Sequence, residues 1–279
     1  MVKEGDDALN LFLSSTLCWQ HSVDRVIEIA NDLGFEGVEV WAEQVWFHRT
    51  PINQIIEAKE KYNVKLTFHA ASWDLNLCAL NEGIRQQSIN EVEKSMLLAR
   101  EIGALNVTVH PGKRTLTESW TQWHYDQLVT SFSSLAQFAS NIGVEMSIEQ
   151  MEHEKKEFII DARSINELIN DLPSTVKVTF DIAHVPLEKD ILQYYSQIER
   201  INKIHVSDVT HSKYHVPLGS GGVQVETLLY MIMENQHPVI LEGFDQNEGF
   251  SNLNKNVRFL RDKLNLSIKE VTSENISYK

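Results

Sequence analysis

The chain has 279 residues, of which 42% are hydrophobic and 23% are charged. Because this composition is that of an ordinary globular protein, it excludes a disordered or fibrous chain. The 25 basic and 39 acidic side chains give a net charge of −14, which disfavours long-range attraction to nucleic acid and other polyanions.

The first ten residues, MVKEGDDALN, are acidic and lack the basic flank and apolar run of a signal peptide. No stretch approaches the ~20 apolar residues that cross a bilayer. We therefore expect a soluble cytoplasmic protein with no membrane partner. Cys18 and Cys78 lack the spacing of metal ligands or of a disulfide framework, and we expect both to be reduced packing residues.

Short runs of β-branched and large apolar residues alternate with helical patterns along the chain, which is typical of parallel βαβ units. The helical pattern is clear at 22–34, where Ser22 can cap the start and Gly34 the end, and again at 84–103. The predicted strands are LNLFLSS (9–15), EGVEVW (36–41), VKLTFH (64–69), LNVTVH (105–110), GVEMSIE (143–149), VKVTFD (176–181), INKIHVSD (201–208) and PVILE (238–242).

Eight such units predict a (β/α)8 TIM barrel, because an open doubly wound sheet usually has fewer strands. The length also fits, since one barrel commonly takes about 250 residues. No linker rich in Pro, Gly or Ser interrupts the alternation. We predict one TIM-barrel domain over residues 1–279, with a polar C-terminal tail at 266–279.

Titratable side chains recur at the carboxyl ends of the predicted strands, where TIM barrels carry their active sites. Ionised carboxylates at the mouth of an apolar barrel are costly unless a cation or hydrogen-bond donors compensate them. Carboxylates mixed with imidazoles suit Zn, Mn, Fe or Co, whereas oxygen ligands alone would favour Mg. The set comprises His69, His110, Glu149, Asp181, His184, His205, His215 and Glu242. We predict that these side chains converge on a divalent metal ion.

Other side chains carry weaker signals. Lys113 and Arg114 in the loop after the fourth strand, with Lys213 after the seventh, could bind a phosphate or carboxylate or could be solvated loop charges. Trp73 would line a sugar pocket or a DNA cleft, or serve in packing. The remaining histidines are expected to be hydrogen-bonded core residues: His21, His48, His124, His153, His211 and His237.

Seven motifs follow one another along nearly the whole chain: FHAASWDLNL (68–77), VHPG (109–112), IEQ (148–150), FDIAH (180–184), IHVSD (204–208), HVPLGSGG (215–222) and LEGF (241–244). In order and spacing they resemble the xylose isomerase-like TIM barrels. That superfamily includes sugar phosphate isomerases and epimerases and, as a relative, endonuclease IV.

The resemblance to the ketose epimerases implies one divalent ion held by Glu149, Asp181, His205 and Glu242. It implies proton transfer at the carbon next to a carbonyl through an enediolate, with Glu149 and Glu242 as the acid/base pair. The group also has an Arg shortly after the strand 7 His, and HVSDVTHSKYH (205–215) has none. The substrate-binding residues would be His69, Trp73, His110, Lys113, His184 and Lys213.

The resemblance to endonuclease IV implies three zinc ions and cleavage of DNA at an abasic site. All eight members of the strand-end set match its ligands, but Lys213 stands where that enzyme has an acid, which favours one ion over three. The negative charge favours a small sugar or sugar phosphate over nucleic acid. A polyol or keto-sugar dehydratase and an inactive binding barrel are further alternatives, and a homo-oligomer is compatible with the sequence.

Overall fold

The computed structural model describes residues 10–117, 119–234 and 236–270. Eight parallel strands close into a barrel, which confirms the predicted fold. A two-stranded antiparallel hairpin at residues 208–216 is inserted between the last two barrel strands. The strands are β1 (Leu11–Ser14), β2 (Gly37–Trp41), β3 (Lys65–His69), β4 (Val107–Val109), β5 (Met146–Glu149), β6 (Lys177–Asp181), β7 (Ile201–Val206), β8 (Asp208–Thr210), β9 (Lys213–Val216) and β10 (Val239–Leu241).

Helices lie between the strands, and the two predicted helical segments are among them. The predicted helix 22–34 ends where Gly34, with φ of 93°, donates its N–H to the carbonyl of Ala30. The predicted helix 84–103 begins earlier, because the Asn81 side chain caps it. The helices are α1 (Val23–Leu33), α2 (Ala42–His48), α3 (Ile52–Tyr62), α4 (Glu82–Glu101), α5 (Thr121–Ile142), α6 (Ala162–Asn170), α7 (Ile191–Tyr195), α8 (Val225–Leu229) and α9 (Ser251–Leu264).

Each predicted strand contains an observed one, with shifted ends. The fifth begins at Met146 instead of residue 143, because Gly143 has φ of 71° and caps α5. The seventh ends at Val206, and Asp208 already belongs to the hairpin. These ends matter because they decide which side chains stand at the mouth.

The core follows from strands that are covered by helices on the outside and by facing strands on the inside. Every residue of β1, β2 and β10 is buried, as parallel strands require. Phe12 fills the space beside Gly37, where an added Cβ would lie 2.0 Å from the Phe12 ring. Only glycine fits there without repacking.

The barrel interior also holds a buried ion pair that the sequence analysis did not single out. Lys203 of β7 and Glu39 of β2 are both fully buried, with 2.5 Å between Nζ and Oε1. Lys203 also lies 3.4 Å from the carbonyl oxygen of Phe68. The pair lies inside the barrel, and Glu39 also reaches His205, one of the predicted metal ligands.

The predicted polar tail is not free where it is described. Leu266 and Ile268 are buried, and the N–H of Lys269 donates to the carbonyl of Leu33. Residues 266–270 therefore lie against the barrel, with Leu266 and Ile268 in the hydrophobic core cluster. Residues 271–279 lie outside the described part. None of the described helices combines the length and apolar character needed to cross a bilayer.

Candidate functional site

The structure brings the whole predicted strand-end set to one mouth of the barrel. His69, Glu149 and Asp181 are the last residues of their strands, and His110 and Glu242 directly follow theirs. The remaining three are His205 near the end of β7, His184 in the 3₁₀ turn Ile182–His184, and His215 in β9. Parallel strands present their carboxyl ends together, so residues far apart in sequence meet here.

Glu149, Asp181, His205 and Glu242 form a buried group in which one ligand atom from each lies within 4.8 Å of the others. His205 Nδ1 is 3.2 Å from Glu149 Oε1 and 3.1 Å from Glu242 Oε2. Asp181 pairs in register with His205, which places these neighbours side by side. We call these four residues the first centre.

The Glu149 carboxylate is shared between two groups of imidazoles. Its Oε1 faces His205, whereas its Oε2 lies 3.3 Å from His69 Nε2 and 3.1 Å from His110 Nε2. His69, His110 and Glu149 therefore form another group with metal-ligand spacing. Trp41 stacks on the His69 ring at a centroid distance of 3.7 Å and an angle of 5°, which fixes that imidazole.

Glu152, His184 and His215 form a third group with metal-ligand spacing, and we call it the second centre. Glu152 was missed by the sequence analysis. It lies three residues after Glu149 in an acidic loop, where it looks like a solvated charge. Its side chain is nevertheless only 22% exposed, and Oε1 lies 3.4 Å from His184 Nε2.

The carboxylates and imidazoles of the mouth support each other's charge. Burial opposes ionisation of Glu149, but His205 and His110 outweigh it and hold the pKa of that carboxyl well below its usual range. Burial likewise opposes protonation of His205, yet Glu39 and Glu242 raise its pKa well above the usual value. A cation bound here would compete with these imidazole protons.

Asp181 is the exception among the acids, since burial raises its pKa to about 7. Its Oδ2 is buried and has no hydrogen-bond partner among the described residues. A buried carboxylate oxygen without a donor is costly unless a cation compensates it. The first centre therefore fits a divalent ion, which Glu149, Asp181, His205 and Glu242 could hold.

The buried pair behind the first centre contacts it through Glu39. Glu39 Oε2 lies 3.1 Å from His205 Nε2, on the opposite side of the ring from Glu149 and Glu242. Lys203, His205 and His69 together lower the pKa of Glu39 to about 2 against the opposing effect of burial. Glu39 thus presents a negative charge to His205, as carboxylates do to metal-bound imidazoles.

A cavity of about 260 Å³ opens onto these groups. Trp73 and Phe244 form an aromatic rim, with ring centroids 6.2 Å apart, and both are more than 40% exposed. Lys113 and Lys213 are exposed and do not line the cavity. The lining residues are Thr16, Trp41, Trp73, His110, Glu149, Glu152, His184, His215, Glu242, Gly243 and Phe244.

The histidines outside the set have varied surroundings. His124 is buried and its Nδ1 lies 2.7 Å from the carbonyl oxygen of Cys78, as expected of a core histidine. His48 Nε2 contacts the carbonyl of Trp19, and His21 stacks on Phe250. The same expectation is wrong for His153 and His211, which lie exposed in loops. His237 is partly buried, and both cysteines are buried and unpaired.

This chain is similar to several known proteins. It is 23% identical to an uncharacterized protein of Methanocaldococcus jannaschii over 96% of this chain and 92% of that one. It is 21% identical to fructoselysine 3-epimerase of Escherichia coli, covering 76% of this chain and 81% of the relative. The crystal structure of a D-tagatose 3-epimerase-like protein superposes with a TM-score of 0.78 at 21% identity, covering 91% and 97% of the two chains.

A family model described as the xylose isomerase-like TIM barrel matches residues 27–263. That match spans all the strand-end acids and imidazoles and most of the chain. The closed parallel barrel and the position of the site agree with it. The chain belongs to the xylose isomerase-like TIM barrel family.

Proposed function

We propose that this protein is a divalent-metal-dependent isomerase or epimerase that acts on a sugar or sugar-derived small molecule. The observation that carries the proposal is the first centre, in which Glu149 and Glu242 line a cavity of about 260 Å³ and flank the buried His205 at 3.2 and 3.1 Å. A concave cavity in which aromatic side chains lie beside convergent polar groups is typical of small-molecule sites. The relatives named as sugar epimerases support the same chemistry.

The reaction would move a proton at the carbon next to a carbonyl through an enediolate. When bound, the metal ion would supply a positive charge that stabilises the developing enediolate oxygen. Glu149 and Glu242 both line the cavity, and neighbouring imidazoles keep both pKa values well below their usual range. One of the two, as an ionised carboxylate, would accept the proton from the substrate carbon, and the other, protonated when the substrate is bound, would deliver a proton to the enediolate.

The rest of the cavity would bind and orient the sugar. Trp73 and Phe244 offer aromatic faces to the C–H side of a pyranose or of an open-chain sugar. His110 and His184 would bind hydroxyl groups, since both line the cavity beside Glu149 and Glu152. Because Lys113 and Lys213 do not line the cavity, a phosphate on the substrate would contact them only if it extended past the rim.

The test is hydrogen exchange at the substrate carbon. The metal-loaded protein is incubated in D₂O with D-tagatose or fructoselysine, and deuterium incorporation is followed by NMR. We expect Glu149→Gln and Glu242→Gln to lose about 10²- to 10⁴-fold in exchange rate. Glu145→Gln, an exposed acid just before β5, is the matched control. Exchange at the wild-type rate in metal-loaded Glu149→Gln would refute its assigned role.

A zinc-dependent abasic-site endonuclease is a second candidate, because the described residues contain three groups with metal-ligand spacing instead of one. The net charge of −14 and the small aromatic-rimmed cavity disfavour a duplex as substrate. The zinc-loaded protein is tested on a duplex containing one abasic site. Nicking that depends on His69 and Glu149, without sugar exchange, would replace the first proposal by this one.

A further inference from the structure

Three exposed aromatic rings surround one buried tryptophan beside the cavity. The ring centroid of Trp19 lies 5.1 Å from that of Trp73, 5.4 Å from that of Phe244 and 5.3 Å from that of Phe47. Trp19 itself is 8% exposed, whereas Phe47 is 66%, Trp73 46% and Phe244 42% exposed. We call these four side chains the aromatic platform.

Phe47 extends the platform beyond the cavity. Trp73 and Phe244 line the cavity, but Phe47 does not. Phe47 is joined to the rim through Trp19, which contacts all three of the other rings. A ligand that fills the cavity and continues past the rim on this side therefore meets the Phe47 ring next.

Packing of α2 does not explain the position of Phe47. Ala42 and Val45 are buried and supply the apolar face of this helix. Phe47 is the most exposed large apolar side chain of the described residues, at a place where a surface helix normally carries a polar residue. A single exposed apolar residue needs no explanation, but a patch of exposed rings that continues from a cavity marks a binding surface.

Hydrogen bonds hold the platform in place. Glu43 Oε1 accepts the backbone N–H of Trp73 at 3.1 Å. The backbone N–H of Trp19 donates to the carbonyl oxygen of Asp245 at 3.2 Å, and the carbonyl oxygen of Trp19 lies 2.7 Å from His48 Nε2. Because the segments that carry these rings are already fixed, a ligand would lose little affinity to the ordering of the surface.

The chemistry of the platform favours an uncharged ring. Aromatic faces carry negative charge density, so they attract C–H groups and ring edges and disfavour anions. The net charge of −14 adds to the repulsion of an anionic group such as a phosphate. A second sugar ring or an aryl group would bury apolar surface on Phe47 without removing a charge from water.

We propose that the aromatic platform binds a ring-bearing substituent of the substrate. The substrate class would then be a sugar linked to a second ring, and not a free monosaccharide. The sugar occupies the cavity, and the second ring stacks on Phe47. This inference rests on the proposed sugar chemistry for the occupant of the cavity. It adds Phe47 as a specificity-determining residue that lies away from the reacting carbon.

The test is a comparison of two ligands that differ only in the ring. Fructosyl-phenylalanine and fructosyl-glycine, in which D-fructose is joined to the amino group of the amino acid, are titrated into the Mn²⁺-loaded full-length protein by calorimetry. We expect the phenylalanine conjugate to bind about 10-fold more tightly. Phe47→Ala should remove most of this preference. Leu97→Ala, an exposed apolar residue of α4 outside the platform, should keep it.

The inference is overturned if the phenylalanine conjugate binds no more tightly than the glycine conjugate, which includes the case in which neither binds. It is also overturned if Phe47→Ala keeps the full preference. If light scattering shows that Phe47→Ala only dissociates a dimer, the platform is an interface between copies of the chain and the inference is wrong. Circular dichroism checks that both variants fold.

Failure of this inference is distinguishable from failure of the proposed function. Binding is measured without turnover, whereas the proposed function is tested by hydrogen exchange. Sugar exchange without any preference for the phenylalanine conjugate removes only the ring-bearing substituent. A preference that depends on Phe47, without exchange for any sugar, removes only the proposed isomerase or epimerase chemistry.

Discussion

The buried Lys203–Glu39 pair gives the sharpest stability prediction. At 2.5 Å and an effective dielectric constant near 20, the two charges attract by about 7 kcal/mol. Burying both ions costs several kcal/mol each, so the net contribution of the pair is close to zero. Removing one partner is different, because the other charge stays buried. We expect Lys203→Met to lower the free energy of unfolding by about 3–5 kcal/mol.

The double variant Lys203→Met/Glu39→Gln should recover most of this loss, because no charge is then left alone. The measurement is urea unfolding of the metal-free protein, followed by tryptophan fluorescence. Lys65–Glu36 is a matched control, since its Nζ and Oε1 are also 2.5 Å apart but Lys65 is 53% exposed. Lys65→Met should lower the free energy of unfolding by at most about 1 kcal/mol.

Two results would refute this reasoning. Lys203→Met could lower the free energy of unfolding by no more than Lys65→Met does, which would mean that Glu39 is protonated or solvated in the variant. Alternatively, the free energy of unfolding that the double variant loses could equal the sum of the losses of the two single variants, which would mean that the charges are not coupled.

Three further predictions concern stability and its dependence on pH. Gly37→Ala should lower the free energy of unfolding by about 1–3 kcal/mol, because the new Cβ overlaps the buried Phe12 ring, and urea unfolding measures it. Asp208→Ala should lower the free energy of unfolding by about 3 kcal/mol in the same assay, because the Asp208 carboxylate accepts three backbone N–H groups around the hairpin. Burial, and then Glu152, raise the pKa of Glu157 from 4.5 to about 7, so the folded protein holds this proton more tightly than the unfolded chain. The contribution of Glu157 to the free energy of unfolding, up to about 3 kcal/mol, should therefore be lost as pH rises from 4.5 to 7, and metal-free Glu157→Gln should differ from the wild type by that amount over this range, as thermal unfolding at several pH values would show.

The barrel could be predicted because both of its signals are local. Apolar runs and helical periodicity repeat eight times, and a strand that ends in His69 or Glu149 places that side chain at the mouth whatever the exact register. The ends of the strands were harder to predict. Gly143 stops a helix inside the predicted fifth strand, and only its positive φ shows this.

The sequence did not reveal three side chains of the site, for two different reasons. Glu39 and Lys203 are charges inside apolar strands, and the alternation that puts Lys203 on the face of His205 was a usable signal. Glu152 had no such signal. Whether an acid in a loop points at the solvent or at His184 depends on the path of that loop, which the hydrophobic pattern does not constrain.

Glu149 belongs to two ligand groups at once, one oxygen facing His205 and the other facing the His69–His110 pair. A ligand that draws electron density from one Glu149 oxygen makes the other oxygen a weaker electron donor. The two sides of the mouth are thus thermodynamically linked, and each changes the affinity of the other by the same factor. A substitution of Glu149 therefore changes the ligand affinity on both sides of the mouth.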